Sequence, residues 1–268
     1  MKISSLSIIL PTINEADNLK TLIPSLEVVL NDLDIKNTEI IVVDDGSTDN
    51  TPEIILELDS KYENINLLKR KNSPSLPDSI YEGISNSKSE YVMWMDADGS
   101  MPVSTIVKFY EIISKNNDAI VIGSRFHKDG AIKGADKIGK NNFIHSLNNV
   151  RKSNDSITAT LLSLTLNKLL STFLGVGVQD ITSGFIVGNK KYFQKNSFDQ
   201  GNYGDYFIYL IDDMYKNKVS MQEIGYICET RKYGVSKTGT NLISLLRTGL
   251  PYIKAVISCR LNRYGNKR

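Results

Sequence analysis

The 268-residue chain is poor in the residues on which several classes of catalytic site depend. Its two histidines, His127 and His145, give little basis for a histidine-centred triad or a multi-histidine metal site. Its two cysteines, Cys228 and Cys259, argue against a disulfide framework and fit a reducing compartment. No apolar run approaches the ~18 uninterrupted residues of a membrane span, so we expect a cytoplasmic protein.

Acidic residues are absent from the C-terminal part of the sequence. None follows Glu229, whereas nine lysines and arginines do. The whole chain carries a net charge of +2, so the first 229 residues are net negative. This asymmetry indicates either an anionic partner, such as a phosphate or a lipid surface, or a solvated basic tail. No nucleic-acid partner is expected.

Short apolar runs alternate with segments of helical spacing through the first half of the chain. Strands are predicted at residues 6–10, 39–43, 65–68, 91–95 and 119–123. A helix at 157–174, strands at 185–187 and 221–228, and an apolar segment at 242–261 are predicted beyond them. The alternation predicts an α/β fold, a three-layer sandwich around a mainly parallel sheet. Ligands of such sheets bind beyond the carboxyl ends of the strands.

Carboxylates stand directly after two of the predicted strands. Asp44 and Asp45 follow the second strand, and Asp96 and Asp98 follow the fourth. The single residue between Asp96 and Asp98 lets both carboxylates reach one hard cation, Mg²⁺ or Mn²⁺, that is also held by diphosphate oxygens. An isolated Asp-x-Asp is more often a turn or a helix cap. Two acidic turns after strands that should be neighbours favour the metal site.

Three segments in the first half resemble the family 2 glycosyltransferases of GT-A (Rossmann-like) fold. They are PTINE at 11–15, VVDDGSTD at 42–49 and MDAD at 95–98, and their order and separation agree as well. The resemblance implies that Glu15 and Asp44 contact the nucleoside and that Asp96 and Asp98 lie at the ribose-diphosphate and the metal. The implied nucleotide-sugar site comprises Pro11, Ile13, Glu15, Asp44, Asp45, Asp96 and Ala97.

Four segments of the second half resemble the polyprenol-phosphate branch of that family, which includes dolichol-phosphate mannose synthases. They are GSRF at 123–126, RKS at 151–153, DITSGF at 180–185 and RKYGVSK at 231–237. The resemblance implies an acceptor-phosphate site at Arg125, Arg151, Ser153, Arg231 and Ser236. It implies a catalytic group of Asp98, Arg125, Arg151, Arg231 and Lys237. Such cations would offset the repulsion between two phosphorylated substrates, although each arginine could instead form a surface ion pair.

Two segments depart from the pattern of this branch. Gly99 and Ser100 stand where the branch usually has a bulky residue and a metal-binding glutamine, so the predicted metal ligands are Asp96, Asp98 and Ser100, the last acting weakly or through water. Residues 73–78 also lack the usual glycine-rich form, and this loop is expected to pack differently against the base.

The sequence therefore predicts an inverting hexosyltransferase that uses a GDP-mannose or UDP-glucose type donor and a polyprenyl or dolichyl phosphate acceptor. An ionised phosphate needs no general base. The alternative is a family 2 enzyme acting on a saccharide or another alcohol in cell-surface glycan synthesis, which would need a base such as Asp180 or Asp205. A nucleotidyltransferase or nucleotide-binding module is disfavoured because residues 11–15 stand where its glycine-rich phosphate loop would be.

We expect one catalytic domain over residues 1–240, with a nucleotide-sugar-binding half at 1–125 and an acceptor-binding half at 126–240. A basic amphipathic tail follows at 241–268. A lipid acceptor would be met at the cytoplasmic face of a membrane. Residues 242–261 would then lie in the membrane interface or, equally well, form a core helix docked on the catalytic domain.

Overall fold

The β-branched and leucine-rich runs of the sequence form strands, and the segments with helical spacing form helices. The computed structural model describes residues 3–131, 157–229, 233 and 242–265. The strands are β1 (Ser5–Thr12), β2 (Asn37–Asp44), β3 (Ile65–Lys69), β4 (Tyr91–Trp94), β5 (Ala119–Ser124), β6 (Ile186–Asn189) and β7 (Ser220–Gly225). The helices are α1 (Ala16–Asp32), α2 (Thr51–Asp59), α3 (Leu76–Asn86), α4 (Thr105–Lys115), α5 (Ile157–Leu174), α6 (Lys195–Phe198), α7 (Tyr206–Lys216) and α8 (Leu242–Gly265).

The seven strands form one sheet in the order β3-β2-β1-β4-β6-β5-β7. The strand β6 runs antiparallel to both of its neighbours, β4 and β5. All other adjacent pairs are parallel, as expected when strands are joined by helical crossovers. The predicted mainly parallel sheet is therefore confirmed.

Helices cover both faces of the sheet because its inner strands are apolar on both sides. On β1, Ile8 and Leu10 point into a core formed with α1, α2 and α4. Ile9 between them points into a second core formed with α3, α5, α7 and α8. This arrangement is the predicted three-layer sandwich.

The loops that follow the parallel strands meet at one edge of the sheet. Thr12 at the end of β1 is in register with Asp44 at the end of β2. The backbone N–H of Arg70, just after β3, donates to the carbonyl of Asp44 at 2.9 Å. On the other side of β1, the backbone N–H of Met95 donates to the carbonyl oxygen of Ile9 at 3.3 Å. The segments that carry the predicted nucleotide-sugar residues therefore lie side by side.

The C-terminal helix α8 packs against α5 and α7. Its inward side chains Ala255, Val256 and Cys259 are buried. Near its end, Arg263 donates through Nε to the buried carboxylate of Asp212 on α7 at 2.6 Å. Within the described ranges, no helix is both long and apolar enough to cross a bilayer. The predicted domain boundaries at residues 125 and 240 stay predictions.

Candidate donor site at the carboxyl edge of the sheet

Hydrogen bonds of Asn14 connect the loop after β1 to the loop after β2. Its side-chain oxygen accepts the backbone N–H groups of Thr48 at 2.7 Å and Asp49 at 3.3 Å. Its own N–H donates to Ser47 Oγ at 2.9 Å. Asn14 adopts a left-handed conformation with φ of 56°, which asparagine tolerates better than most residues. The two motif segments are therefore locked together before any ligand binds.

The adjacent carboxylates Asp44 and Asp45 accept hydrogen bonds from different parts of the structure. Asp44 is buried, and its Oδ1 accepts the N–H of Ser47 at 3.0 Å, which shapes the turn. Asp45 accepts hydrogen bonds from the guanidinium of Arg70 and from the backbone N–H of Ser75, the latter at 2.6 Å. Asp45 therefore joins the loop after β2 to the loop that leads into α3.

Arg70 organises the segment that lacks the glycine-rich form. Its side chain is 1% exposed and forms ion pairs with Asp45, with Glu82 at 2.9 Å and with Asp78 at 3.5 Å. Burial disfavours its charge, but these carboxylates outweigh that cost and raise the pKa of Arg70. Sequence reasoning missed this residue. The available signal was an arginine after a strand, followed by acidic residues four positions apart on one helix face.

A cleft of about 310 Å³ opens at this edge of the sheet. It is lined by Pro11, Thr12, Ile13, Glu15, Asp45, Pro74, Ser75, Leu76, Ser79, Asp96, Ala97, Asp98, Asn202 and Tyr203. Seven of these were predicted site residues: Pro11, Ile13, Glu15, Asp45, Asp96, Ala97 and Asp98. Asp44 and Ser100 do not line the cleft. The side chain of Asp44 instead accepts a hydrogen bond within the loop after β2.

The turn after β4 presents two carboxylates to the cleft. Asp98 is almost fully buried, and its Oδ1 accepts the N–H of Ser100 at 2.9 Å. Gly99 has a φ of 74°, a conformation that the bulky residue of the family pattern would adopt only with strain. The carbonyl of Ser100 accepts the N–H of Glu229 at 2.8 Å. The departure at Gly99 and Ser100 thus has a structural role in the turn.

The part of the chain that the structure describes contains no group of three or more histidine, cysteine, aspartate or glutamate residues placed to hold a metal. Asp96 and Asp98, which both line the cleft, are two carboxylates in one turn. A pair of carboxylates is a donor set that Mg²⁺ accepts when substrate phosphates supply further oxygens. The predicted metal ligands stay a prediction.

Arg125 and Asp180 form a bidentate ion pair. Asp180 is fully buried, and its two oxygens accept Arg125 Nε and Nη2, each at 2.8 Å. Nη2 also donates to Thr182 Oγ1 at 2.8 Å. Burial alone would lower the pKa of Arg125, but the carboxylate of Asp180 outweighs it and raises that pKa. Arg125 is a permanent cation, and both carboxylate oxygens of Asp180 are occupied by hydrogen bonds from it.

Asn202 and Tyr203 reach the cleft on a tight turn before α7. The side chain of Asp205 accepts the backbone N–H groups of Asn202 at 3.1 Å and Tyr203 at 2.9 Å. Sequence reasoning treated Asp205 as a candidate base and missed both cleft residues. The sequence GNYGD at 201–205 carried the turn signal. Which loop reaches a cleft made by distant strands depends on the tertiary fold.

Five predicted site residues lie outside the described residues. They are Arg151, Ser153, Arg231, Ser236 and Lys237. The predicted acceptor-phosphate site is thus represented here by Arg125 alone.

Comparison with known proteins identifies the family of this chain. A family model described as glycosyl transferase family 2 matches residues 7–197, more than two thirds of the chain. A dolichol-phosphate mannosyltransferase of Pyrococcus furiosus is 38% identical over 127 residues, which is 47% of this chain and 35% of that protein. A dolichyl-phosphate beta-glucosyltransferase of Dictyostelium discoideum is 31% identical over 151 residues, 53% of this chain and 45% of that protein. The matched region thus spans less than half the length of these relatives.

Solved structures show the same fold at low sequence identity. Mannosyl-3-phosphoglycerate synthase from Rubrobacter xylanophilus superposes with a TM-score of 0.66 at 15% identity, covering 98% of this chain and 75% of that chain. Glucosyl-3-phosphoglycerate synthase from Mycobacterium tuberculosis, solved with Mn²⁺, UDP and glucosyl-3-phosphoglycerate, has a TM-score of 0.62 at 14% identity, covering 96% and 80%. The predicted GT-A fold is confirmed.

Proposed function

Because the chain belongs to glycosyltransferase family 2, we propose that it transfers a hexose from a nucleoside-diphosphate sugar to a polyprenyl or dolichyl phosphate. The acceptor class is supported by the curated relatives, which are named for dolichyl-phosphate mannosyl and glucosyl transfer. Both GDP-mannose and UDP-glucose remain candidate donors. The enzyme would work at the cytoplasmic face of a membrane, as a peripheral protein.

The observation that carries the proposal is the shared cleft. Segments from β1, β2 and β4, which the resemblance assigns to donor binding, line one concave site at the carboxyl edge of the sheet. The resemblance assigns Glu15 to the nucleoside and Asp96 and Asp98 to the ribose-diphosphate and metal, and all three residues line the cleft. Pro74 and Leu76 supply an apolar wall, as ligand sites for planar bases commonly have.

Asp96 and Asp98 would hold a divalent cation, Mg²⁺ or Mn²⁺, which when bound supplies positive charge against the diphosphate leaving group. The turn that carries them is fixed by the hydrogen bond from Ser100 N–H to Asp98. A fixed turn lowers the reorganisation needed when the donor binds.

We propose a single displacement with inversion. An oxygen of the acceptor phosphate forms a bond to the anomeric carbon while the bond from that carbon to the donor diphosphate breaks. The nucleoside diphosphate leaves with the electron pair. An acceptor phosphate has a second pKa of about 6 and is already largely ionised at pH 7, so no base has to remove a proton.

The contacts of Asp180 support a phosphate acceptor rather than an alcohol. A general base must be able to take a proton from the acceptor. Both oxygens of Asp180 instead accept hydrogen bonds from the permanent cation Arg125. The arrangement suits Arg125 as a preorganised cation for a phosphate, with Asp180 as the residue that positions it.

The test is calorimetric binding of GDP, UDP, GDP-mannose and UDP-glucose, with and without Mn²⁺, followed by transfer assays with a polyprenyl phosphate. We expect metal-dependent binding of one nucleotide, weakened at least about tenfold in Asp98→Ala. The matched control is Asp118→Ala, an exposed aspartate that immediately precedes β5 and does not line the cleft, whose loss should leave binding unchanged. No binding of any nucleotide by a folded protein, or transfer to a saccharide but not to a prenyl phosphate, would contradict the proposal.

A further inference from the structure

The two long helices α5 and α8 expose a row of large apolar side chains. Five such residues are between 47% and 64% exposed: Leu169, Phe173, Leu250, Ile257 and Leu261. We call this surface the α5–α8 face. Single exposed apolar residues are common on proteins, but a cluster on adjoining helices marks an interaction surface.

The α5–α8 face lies on two helices that pack against the rest of the protein through their other sides. On α8, positions 250, 257 and 261 are spaced to share one side of the helix, and positions 169 and 173 do the same on α5. The guanidinium of Arg260 lies over the Phe173 ring at 5.5 Å. Arg263 Nη1 donates to the carbonyl of Leu174 at 2.9 Å. The opposite sides of both helices are buried in the core, so the exposed row is what remains after packing.

The charge of these helices has one sign. The helices α5 and α8 together contain five basic residues and no acidic residue. Lys168 and Lys254 are exposed beside the apolar row. A two-fold contact between copies of this chain would bring such cations against their own equivalents. An anionic lipid surface satisfies both the apolar row and the cations, since lysine and arginine reach headgroups while apolar side chains enter the boundary.

Helix α8 approaches the cleft through the side opposite the exposed row. Tyr252 of α8 packs against Gly204, where a Cβ would stand 2.3 Å from the Tyr252 hydroxyl. Gly204 directly follows Tyr203, which lines the cleft. The helix that carries the exposed row is therefore close to the cleft.

We propose that the α5–α8 face docks in the plane of an anionic membrane surface. This inference rests on the proposed function, because an enzyme that uses a lipid acceptor has to reach it at a bilayer. It adds the surface that does so, and it assigns α5 as well as the predicted C-terminal helix to that surface.

The experiment is flotation of the full chain with vesicles of phosphatidylcholine alone or mixed with phosphatidylglycerol, both free of polyprenyl phosphate. The apolar variant is Phe173→Gln/Ile257→Gln/Leu261→Gln. Its matched control is Val28→Gln/Leu56→Gln, on α1 and α2, where the two side chains are 64% and 58% exposed on the other layer. The charge variant is Lys254→Glu, with Lys108→Glu on α4 as its control.

We expect the wild type to bind mixed vesicles more tightly than neutral ones. The apolar variant should bind about tenfold more weakly or worse, and Lys254→Glu about fivefold more weakly or worse on mixed vesicles, with both controls unchanged. Wild-type binding in the apolar variant, or no vesicle binding by the wild type, would overturn the proposal. A wild-type dimer that becomes a monomer in the apolar variant would also overturn it, because the face would then be a self-interface.

Transfer assays separate this inference from the proposed function. Every variant should keep the wild-type rate on a short, water-soluble prenyl phosphate, whereas the apolar variant should lose activity on the long acceptor in vesicles. Turnover of the short acceptor without vesicle binding would leave the proposed function standing and reject the docking surface. Vesicle binding without turnover of either acceptor would support the docking surface and reject the proposed function.

Discussion

Replacing Asp180 with asparagine removes the charge that faces Arg125 and keeps the size of the side chain. Breaking a buried ion pair by removing one partner typically costs about 3–5 kcal/mol. The Arg125 side chain is 26% exposed and can recover some hydration, so we expect about 2–3 kcal/mol for Asp180→Asn. For a chain of this size, the loss lowers the midpoint of thermal unfolding by about 5–10 °C.

The same variant separates two roles for Asp180. If Asp180 positions Arg125 for the acceptor phosphate, Asp180→Asn raises the apparent KM for the acceptor and changes kcat by less than about tenfold. If Asp180 were a general base, kcat would fall by about 10²–10⁴ with little change in KM. Steady-state kinetics with the vesicle-borne and the short acceptor measure both quantities.

A double-mutant cycle with Arg125→Gln tests the pair directly. Arg125→Gln leaves the fully buried Asp180 without its cation, whereas the double variant removes both charges. We expect a coupling energy of about 2 kcal/mol or more in urea unfolding. Asp213→Asn on α7, where the carboxylate accepts only a serine hydroxyl at 3.2 Å among the described hydrogen bonds, is the control and should be nearly neutral. A coupling energy below about 0.5 kcal/mol would refute the reasoning.

Two further predictions concern the wall of the cleft and the C-terminal helix. Arg70→Met leaves Asp45 buried without its cation, so we expect a loss of about 3–5 kcal/mol in urea unfolding, with weaker nucleotide binding in calorimetry. Lys71→Met, an exposed neighbour, should change neither, and an equal effect of both would contradict the assigned role. Burial raises the pKa of the Cys259 thiol to about 12, so at pH 8 roughly one thiol in ten thousand is ionised. A thiol reagent should therefore modify only half-buried Cys228 in the native protein and both cysteines in urea, whereas rapid native labelling of Cys228→Ser would show that α8 is not docked as described.

Much of the fold follows from local patterns. The strands of the first half were predicted because each is a short apolar run. The bounds differ from the observed ones by at most two residues; for example, residues 39–43 are predicted and β2 spans Asn37–Asp44. The antiparallel direction of β6 was not predicted. A run of four residues carries no information about which neighbours it will pair with.

The candidate site was predicted in part for the same reason. Pro11 lies near the end of β1, and Glu15, Asp96 and Asp98 follow strand ends, which in a parallel sheet meet at one edge. The ion-pair partners of Asp45 and Asp180 could not be predicted in this way. Their partners, Arg70 and Arg125, are 25 and 55 residues away, so the pairs exist only once the crossovers have formed.

The α/β alternation, the family and the edge of the sheet at which the motifs gather follow from local sequence, because they depend on periodicity and on residues close in the chain. Three further features depend on the folded chain: Asp44 shapes a turn while Asp45 faces the cleft, Asn202 and Tyr203 complete the cleft wall, and α5 and α8 both carry exposed apolar side chains. Those outcomes depend on which side chains are buried when helices and loops distant in sequence pack together, and burial decides whether a charge must be paired or an apolar side chain is left for a partner.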